Sequence, residues 1–142
     1  MMYTADVLVV DTDGRLLLIK RKYEPYANQW ALPGGHVDPQ DAVANPGSPS
    51  RAAAVRELAE ETRVVVPPSA LQFVGTFDRD GRDPRGPYST DAYLVRVPTG
   101  TRAVARDDAA EVEWLWIGMT TYQSLAFDHN EIVKAALSMG FR

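Results

Sequence analysis

The sequence predicts a mixed α/β domain, arranged as a sandwich around a single sheet system. Short runs rich in β-branched and aromatic residues precede and follow one strong helix, and tight turns separate them. At 142 residues the chain has the length of one domain, and neither a repeat nor a low-complexity tract divides it. We therefore expect residues 1–142 to form a single domain.

The first elements are strands joined by tight turns. In order, we expect a strand at residues 3–10, a turn at 11–14, a strand at 15–21, a loop at 22–29 and a short strand at 30–32. The turn contains Asp and Gly between two apolar runs, which is typical of a β-hairpin. The short strand is predicted to end at Pro33, Gly34 and Gly35.

The strongest helix of the sequence is predicted after a loop at residues 38–48. Ser48 is a good N-cap, and Pro49 suits the first helical position because its missing N–H would be unpaired there. The body consists of strong helix formers, and the helix is expected to stop near Pro67 and Pro68. The residues expected to face the core recur at helical spacing: Ala52, Val55, Leu58 and Ala59.

The second half of the chain supplies more strands and a last helix. Strands are predicted at residues 71–77, 88–97 and 111–117. The first two are joined by a loop of alternating Arg and Asp at 78–87. Asp128 is a candidate N-cap for the last helix, with Glu131 at the capping-box position.

Composition excludes several classes of protein. With 15 Lys and Arg against 19 Asp and Glu, the formal charge is −4, which argues against nucleic-acid binding. The absence of cysteine excludes a disulfide framework, a thiolate zinc site and a cysteine nucleophile. No apolar run approaches the roughly 20 residues of a membrane span, and no secretory signal is visible. The sequence therefore predicts a soluble, cytoplasmic protein that binds neither membrane nor nucleic acid.

Three glutamates on the strong helix form a candidate metal site. At about 100° per residue, Glu57, Glu60 and Glu61 share one face, where like charges repel unless a cation is bound. Carboxylate oxygens are the ligands that Mg²⁺ and Mn²⁺ prefer. A solvated acidic face is the alternative. Two neighbouring cations, Lys20 and Arg21, favour the metal interpretation because they suit a phosphate nearby.

Two segments carry a specific resemblance to a known family. LPGG at residues 32–35, followed by AAVRELAEET at 53–62, resembles the Nudix box of the MutT-like Nudix hydrolases, whose pattern is G-x5-E-x7-R-E-U-x-E-E-x-G-U. The strand pattern fits the Nudix fold over nearly the whole chain. The resemblance implies an α+β fold with a mixed β-sheet sandwiched between helices.

The box departs from the family pattern at two places. From Gly35 to Arg56 there are 21 positions where the pattern has 14, so 7 residues are extra. Counting forward from Gly35 puts Asp41 at the first Glu of the pattern, and counting back from Arg56 puts Ser48 there. Arg63 also replaces the Gly that follows the paired acids, where a left-handed helix end favours Gly.

By resemblance, the chemistry is Mg²⁺-assisted attack of water on a pyrophosphate linkage, and Mn²⁺ can substitute for Mg²⁺. Glu57 and Glu61 are then the chief metal ligands, Glu60 is a third ligand or a partner of the metal's water, and the Gly35 carbonyl is a further ligand. Arg56 orients the glutamates. The general base is open between Glu60 or Glu57 in the box and the later acids Asp107, Asp108 and Glu111, of which Asp108 is chosen.

Two further segments resemble one subgroup of the family. TF at residues 76–77 with RDPRG at 82–86, and LAFDH at 125–129, resemble the ADP-ribose pyrophosphatases. This implies hydrolysis of ADP-ribose to AMP and ribose 5-phosphate by a homodimer. The residues predicted to bind substrate are Lys20, Arg21, Gly34, Arg79 and Arg85. For the loop arginines the alternative is pairing with neighbouring aspartates, and for Asp128 it is a helix cap.

Two other functions stay open. A nucleoside triphosphate pyrophosphohydrolase that sanitises the nucleotide pool would use the same box, because the box handles phosphates and neither base nor sugar. A non-catalytic nucleotide sensor is the third hypothesis, since related regulators join a Nudix-like domain to a DNA-binding domain. The sensor is disfavoured because the three glutamates persist and the chain ends shortly after the last predicted helix.

Overall fold

The computed structural model describes residues 1–140, and within them seven strands and three α-helices form an α+β sandwich. In chain order the elements are β1 (Met2–Asp11), β2 (Arg15–Arg21), β3 (Trp30–Ala31), β4 (Gly34–His36), α1 (Pro39–Ala44), α2 (Pro49–Thr62), β5 (Gln72–Phe77), β6 (Tyr88–Val97), β7 (Ala109–Trp116) and α3 (His129–Ser138). Short 3-10 turns lie at Pro68–Ala70 and Ile117–Tyr122. None of the described helices has the length and apolar character needed to cross a bilayer.

The sheet is mixed because β1 pairs differently with its two neighbours. It runs antiparallel to β2 and parallel to β6, and the strand order is β3-β2-β1-β6-β5, with β4 added to β1 and β7 to β2. Successive side chains of a strand point to opposite faces. Val7 and Val9 accordingly pack with the α2 side of the core, and Leu8 and Val10 with the α3 side. The predicted sheet between helices is confirmed.

The two glycines predicted to end β3 belong instead to a strand. Gly34 pairs with Asp6 of β1, and Gly35 pairs with Ala5. A Cβ at Gly34 would overlap the Ala5 carbonyl oxygen and lie 2.5 Å from Asp6 Oδ1. The absence of side chains is therefore what lets β4 approach β1. The sequence predicts the end of β3 here but not the new strand, because Gly residues are rare inside strands.

Helix α2 begins as predicted, but its end and its buried face differ. Arg63 adopts a left-handed conformation with φ of 64°, and its N–H donates to the Ala59 carbonyl, so the helix ends at Thr62 and not near the prolines. The buried side chains of α2 are Ala53, Ala54, Leu58, Glu61 and Thr62, whereas Ala52, Val55 and Ala59 are half-buried. The buried face is rotated because α2 packs against both β1 and β4.

Helix α1 occupies part of the segment predicted to be a loop. Asp38 precedes it, and the Asp38 N–H donates to Asp41 Oδ2 at 2.7 Å, which caps the first turn. The strands β5, β6 and β7 lie where the sequence places them, within two residues at each end. Asp128 stands at the predicted N-cap position of α3, but its carboxylate makes no cap hydrogen bond.

Candidate active site

A cleft of about 200 Å³ opens beside Gly34 and Gly35, where β4, the end of α2 and the start of α3 meet. Both carboxylates and guanidinium groups line it. We call Glu61, Asp108 and Glu57 the acidic wall; Glu61 and Asp108 line the cleft, and the Glu57 carboxylate lies against Gly35, which lines it. We call Arg21 and Arg85 the basic wall. The cleft thus brings together residues from both halves of the chain.

Glu61 is the buried centre of the acidic wall. Its side chain points from the last turn of α2 toward β4, and the Gly34 N–H donates to Glu61 Oε1 at 2.9 Å. Burial raises the pKa of this carboxyl well above its usual value, and the charges of Glu57 and Asp108 raise it further. The predicted role of Gly34 in substrate binding is therefore limited, because its N–H is already used by Glu61.

Glu57 and Glu60 are both held by Arg56. Arg56 Nη1 lies 2.8 Å from Glu57 Oε1 and 3.2 Å from Glu60 Oε2, and Arg56 Nη2 donates to the His36 carbonyl at 2.9 Å. The Glu57 carboxylate fills the space that a Cβ at Gly35 would occupy. Burial raises the pKa of Glu57 to about 7 although Arg56 opposes the shift. Glu60 is different, since its side chain is 45% exposed.

Asp41 anchors Arg56 from the other side. Arg56 donates from Nε to Asp41 Oδ1 and from Nη2 to Asp41 Oδ2, each at 3.0 Å, and these hydrogen bonds raise the pKa of Arg56. Of the two candidates for the first Glu of the family pattern, the one found by counting forward from Gly35, Asp41, is therefore the acid that contacts Arg56. Ser48, the other candidate, lies 3.4 Å from the Tyr93 hydroxyl, so the extra residues follow Asp41.

We expect Asp41→Asn to lower the free energy of unfolding by about 2 kcal/mol, because a neutral amide cannot accept both charged hydrogen bonds of Arg56. Urea unfolding followed by circular dichroism measures the change. Asp38→Asn is the matched control: Asp38 also faces Arg56, at 3.3 Å, but its side chain is 46% exposed. The control should change stability by less than about 0.5 kcal/mol. Equal effects of the two substitutions would contradict the assignment.

The acidic wall has the chemistry of a site for a divalent cation. Its carboxylates offer oxygen ligands, and Glu57 and Glu61 are withdrawn from water, which is the main reason that their pKa values are raised. In this structure Arg56 pairs with Glu57 and Glu60. Within residues 1–140 no three His, Asp or Glu side chains are close enough together to hold one metal ion. The donor set therefore fits Mg²⁺ or Mn²⁺ in kind, and the missing side chain of Gly35 lets the Glu57 carboxylate lie against the β4 backbone.

The basic wall is built around one aromatic ring. The guanidinium carbons of Arg21 and Arg85 lie 4.9 Å and 5.6 Å from the centroid of the Phe127 ring. Arg21 Nε donates to the Pro25 carbonyl, and Arg85 forms a bidentate pair with Asp83. Burial lowers the pKa of Arg21, and the neighbouring charge of Arg85 lowers it further. Two cations held this close favour an anionic ligand.

Two of the predicted substrate-binding residues do not line the cleft. Lys20 pairs with Glu111 at 3.3 Å and lies over Trp30, because neighbouring residues of a strand point to opposite faces and Arg21 takes the cleft side. Arg79 pairs with Glu131 of α3 at 3.1 Å, and its side chain is 66% exposed. The structure thus places Lys20 and Arg79 outside the lining of this cleft, whereas Arg85 pairs with a loop aspartate and still lines it.

Sequence reasoning missed several residues of the cleft. Asp6, Phe127 and His129 line it, and the sequence assigns a role to none of them individually. Asp6 could have been identified from the sequence, because an acid inside the otherwise apolar run of β1 must be buried with a partner. Phe127 adopts a left-handed conformation with φ of 54°, which is uncommon for a residue with a large side chain and carries no signature in sequence.

A family model, a curated protein and a solved structure that resemble this chain all point to the same family. The model of the NUDIX domain matches residues 2–136. The ADP-ribose pyrophosphatase of Methanocaldococcus jannaschii is 35% identical over 126 residues, covering 89% of this chain and 68% of the relative. The NUDIX domain of Shewanella oneidensis NrtR, solved with ADP ribose, superposes with a TM-score of 0.83 at 25% identity, covering 98% of this chain and 88% of that one.

A third relative is longer. The bifunctional NMN adenylyltransferase/ADP ribose pyrophosphatase of Francisella tularensis, solved with AMP and a manganese ion, superposes with a TM-score of 0.82 at 27% identity. The match covers 97% of this chain but only 41% of the Francisella protein. The similarity therefore concerns one part of that protein.

Proposed function

This chain belongs to the NUDIX domain family and is a pyrophosphohydrolase, and we propose that its substrate is ADP-ribose, hydrolysed with Mg²⁺ to AMP and ribose 5-phosphate. One observation carries the proposal. A single cleft is lined by carboxylates, of which Glu61 is buried, and by the guanidinium groups of Arg21 and Arg85. A diphosphate ester needs both, because its oxygens are anionic and its hydrolysis requires added positive charge.

The relatives support the choice of substrate. The Methanocaldococcus protein is named an ADP-ribose pyrophosphatase, and the Shewanella domain was solved with ADP ribose. The box alone handles phosphates, so the substrate rests on these relatives and on the RDPRG and LAFDH segments. In the structure these two segments supply Arg85 and Phe127 to the cleft.

Glu57, Glu60, Glu61 and the Gly35 carbonyl are the residues that would hold the cation. Bound Mg²⁺ would neutralise charge developing on the phosphate oxygens and activate water as a nucleophile. The manganese ion of the Francisella structure supports Mn²⁺ as a substitute. Arg56 acts on the box rather than on the substrate, since its hydrogen bonds fix Glu57 and Glu60.

Asp108 is our choice for the general base. It lines the cleft near Glu61 and is exposed. Among the described residues it forms no ion pair, so its carboxylate is free to accept a proton. As the water oxygen forms its bond to phosphorus, the bond from phosphorus to the bridging oxygen breaks and the water proton passes to Asp108. Arg21 and Arg85 pair with the phosphate oxygens.

Product analysis tests this function. The protein is incubated with Mg²⁺ and a panel of ADP-ribose, other nucleoside diphosphate sugars, NADH and nucleoside triphosphates. We expect AMP and ribose 5-phosphate from ADP-ribose as the preferred reaction. Preferential release of pyrophosphate from triphosphates would instead support the nucleotide-pool alternative, and tight binding of ADP-ribose without turnover would support the sensor.

We expect Arg21→Ala to raise KM for ADP-ribose about tenfold with only a modest loss of kcat, because Arg21 contributes to binding of the ground-state phosphate. Steady-state kinetics measure both constants. Arg102→Ala is the control, since Arg102 is exposed and does not line the cleft. An unchanged KM for Arg21→Ala would remove this residue from the site.

The homodimer remains a proposal that rests on the family resemblance, and the cytoplasmic location remains a proposal that rests on the sequence composition. Analytical ultracentrifugation of the purified chain tests the first. A sedimentation mass of one chain across the micromolar range would exclude a stable dimer.

A further inference from the structure

Two consecutive buried residues at the start of α3 have partners in different parts of the chain: Asp128 pairs with Arg82, and His129 accepts from the Leu32 N–H. The Asp128 carboxylate accepts hydrogen bonds from Arg82 Nε at 2.9 Å and from Arg82 Nη2 at 2.6 Å. These two side chains are 2% and 3% exposed. His129 is buried as well. Burial of polar groups is costly unless they are paired, so each contact constrains the structure around it.

Asp128 connects α3 to the basic wall. Arg82 belongs to the loop between β5 and β6, where the Arg82 N–H donates to the Arg79 carbonyl and the Gly86 N–H to the Asp83 carbonyl, so the loop is a series of tight turns. Arg85, three residues after Arg82, lies 4.5 Å from the Tyr88 ring. The Arg82–Asp128 pair is therefore the buried attachment of the loop that carries Arg85.

His129 connects α3 to the acidic wall. The Leu32 N–H donates to His129 Nδ1 at 3.0 Å, which leaves the ring proton on Nε2, 3.5 Å from Asp6 Oδ1. The other oxygen of Asp6 accepts from the Thr90 hydroxyl at 2.7 Å. Leu32 lies two residues before Gly34, whose N–H holds Glu61. His129 therefore fixes the backbone of residues 32–34, which in turn holds Glu61 of the acidic wall.

We propose that Asp128 and His129 are positioning residues that set the two walls independently: Asp128 fixes the basic wall for substrate binding, and His129 fixes the acidic wall for cation binding. Neither acts by direct contact with the reacting atoms; Asp128 acts through Arg82, and His129 through the Leu32 amide. The choice of ADP-ribose as the ligand rests on the proposed function, whereas the separation of the two effects rests on the Arg82–Asp128 pair and on the hydrogen bond from the Leu32 N–H to His129. The His129 ring also packs against Phe127 of the cleft, with centroids 5.4 Å apart, so the His129 variant that loses the acceptor must keep an apolar side chain there.

The test measures the two kinds of binding separately on the full chain. Mn²⁺ binding is measured by electron paramagnetic resonance without substrate, and ADP-ribose binding is measured by calorimetry without a divalent cation. We expect Asp128→Asn to weaken ADP-ribose binding about tenfold and to leave Mn²⁺ binding within about twofold. We expect His129→Leu to weaken Mn²⁺ binding about tenfold with ADP-ribose binding within about twofold.

Two further variants separate positioning from general damage. His129→Asn keeps an acceptor near the position of Nδ1, so it should restore most of the Mn²⁺ affinity that His129→Leu loses. Glu131→Gln breaks the exposed Arg79–Glu131 pair between the same loop and helix, and it should change neither affinity. Thermal melting of every variant checks that the chain remains folded.

The outcomes distinguish this proposal from the proposed function. If each variant weakens both ligands equally, or if His129→Asn is as weak as His129→Leu, the independent roles are overturned. If the wild-type protein binds both ligands but releases no AMP, the proposed activity fails while the two binding effects still decide this inference. A wild-type protein that binds neither ligand overturns both.

Discussion

A Glu61→Gln variant is expected to lose hydrolysis of ADP-ribose by about a thousandfold, the equivalent of about 4 kcal/mol of transition-state stabilisation. The amide has the size of the carboxylate and retains an oxygen to accept the Gly34 N–H, so β4 should stay in place. What it lacks is the negative charge that a divalent cation requires. The loss should therefore appear in kcat and in Mn²⁺ binding together.

The same substitution, Glu61→Gln, should raise the stability of the metal-free protein although it lowers activity. Burial raises the pKa of Glu61 well above its usual value, so keeping this carboxyl ionised at neutral pH opposes folding of the metal-free protein. We expect metal-free Glu61→Gln to melt at or above the wild-type temperature. This combination, higher stability with lost activity, is typical of a group held in an unfavourable state for function.

The measurement is AMP release at saturating Mg²⁺, with the melting temperature recorded on the same samples. Glu113→Gln is the control, since Glu113 is exposed on β7 and does not line the cleft. A Glu61→Gln variant that retains about a tenth or more of the wild-type rate would show that Glu61 does not hold the catalytic cation.

The parts of the fold that the sequence predicts are those that local patterns determine. The hairpin of β1 and β2 and the start of α2 follow from apolar runs, turn residues and a Ser-Pro helix start. The strand β4 does not, because a Gly pair becomes a strand only when another strand accepts its backbone. The end of α2 depends on a left-handed Arg63; Gly and Asn are typical of that conformation and Arg is not, so only the comparison with the box, which has Gly there, points to it.

The candidate site divides in the same way. The three glutamates could be placed on one helix face because their spacing fixes their relative direction. Asp6 and His129 are 123 positions apart and meet only because β1 and α3 pack on one core. For Lys20 and Arg21, alternation along β2 requires that only one face the cleft, but the sequence does not say which one.

Gly34→Ala is expected to have the largest effect on stability of any single substitution proposed for this chain. The new Cβ would overlap the backbone oxygen of Ala5 and lie 2.5 Å from Asp6 Oδ1, in the middle of the β1–β4 pairing. Backbone cannot move aside as a flexible side chain can, so β4 must separate from β1. We expect a loss of about 3 kcal/mol in the free energy of unfolding, measured by urea denaturation.

Gly35→Ala provides the informative contrast. Its Cβ would lie 2.5 Å from the Glu57 carboxylate carbon, which is the end of a flexible side chain. We expect this variant to lose less stability than Gly34→Ala but to lose Mn²⁺ binding, because Glu57 must leave its position. Gly47→Ala, where the nearest atom would be 3.8 Å away, is the control for both. If Gly34→Ala were as stable as the control, β4 would not be paired with β1, and the Gly34 amide could not hold Glu61 at the cleft.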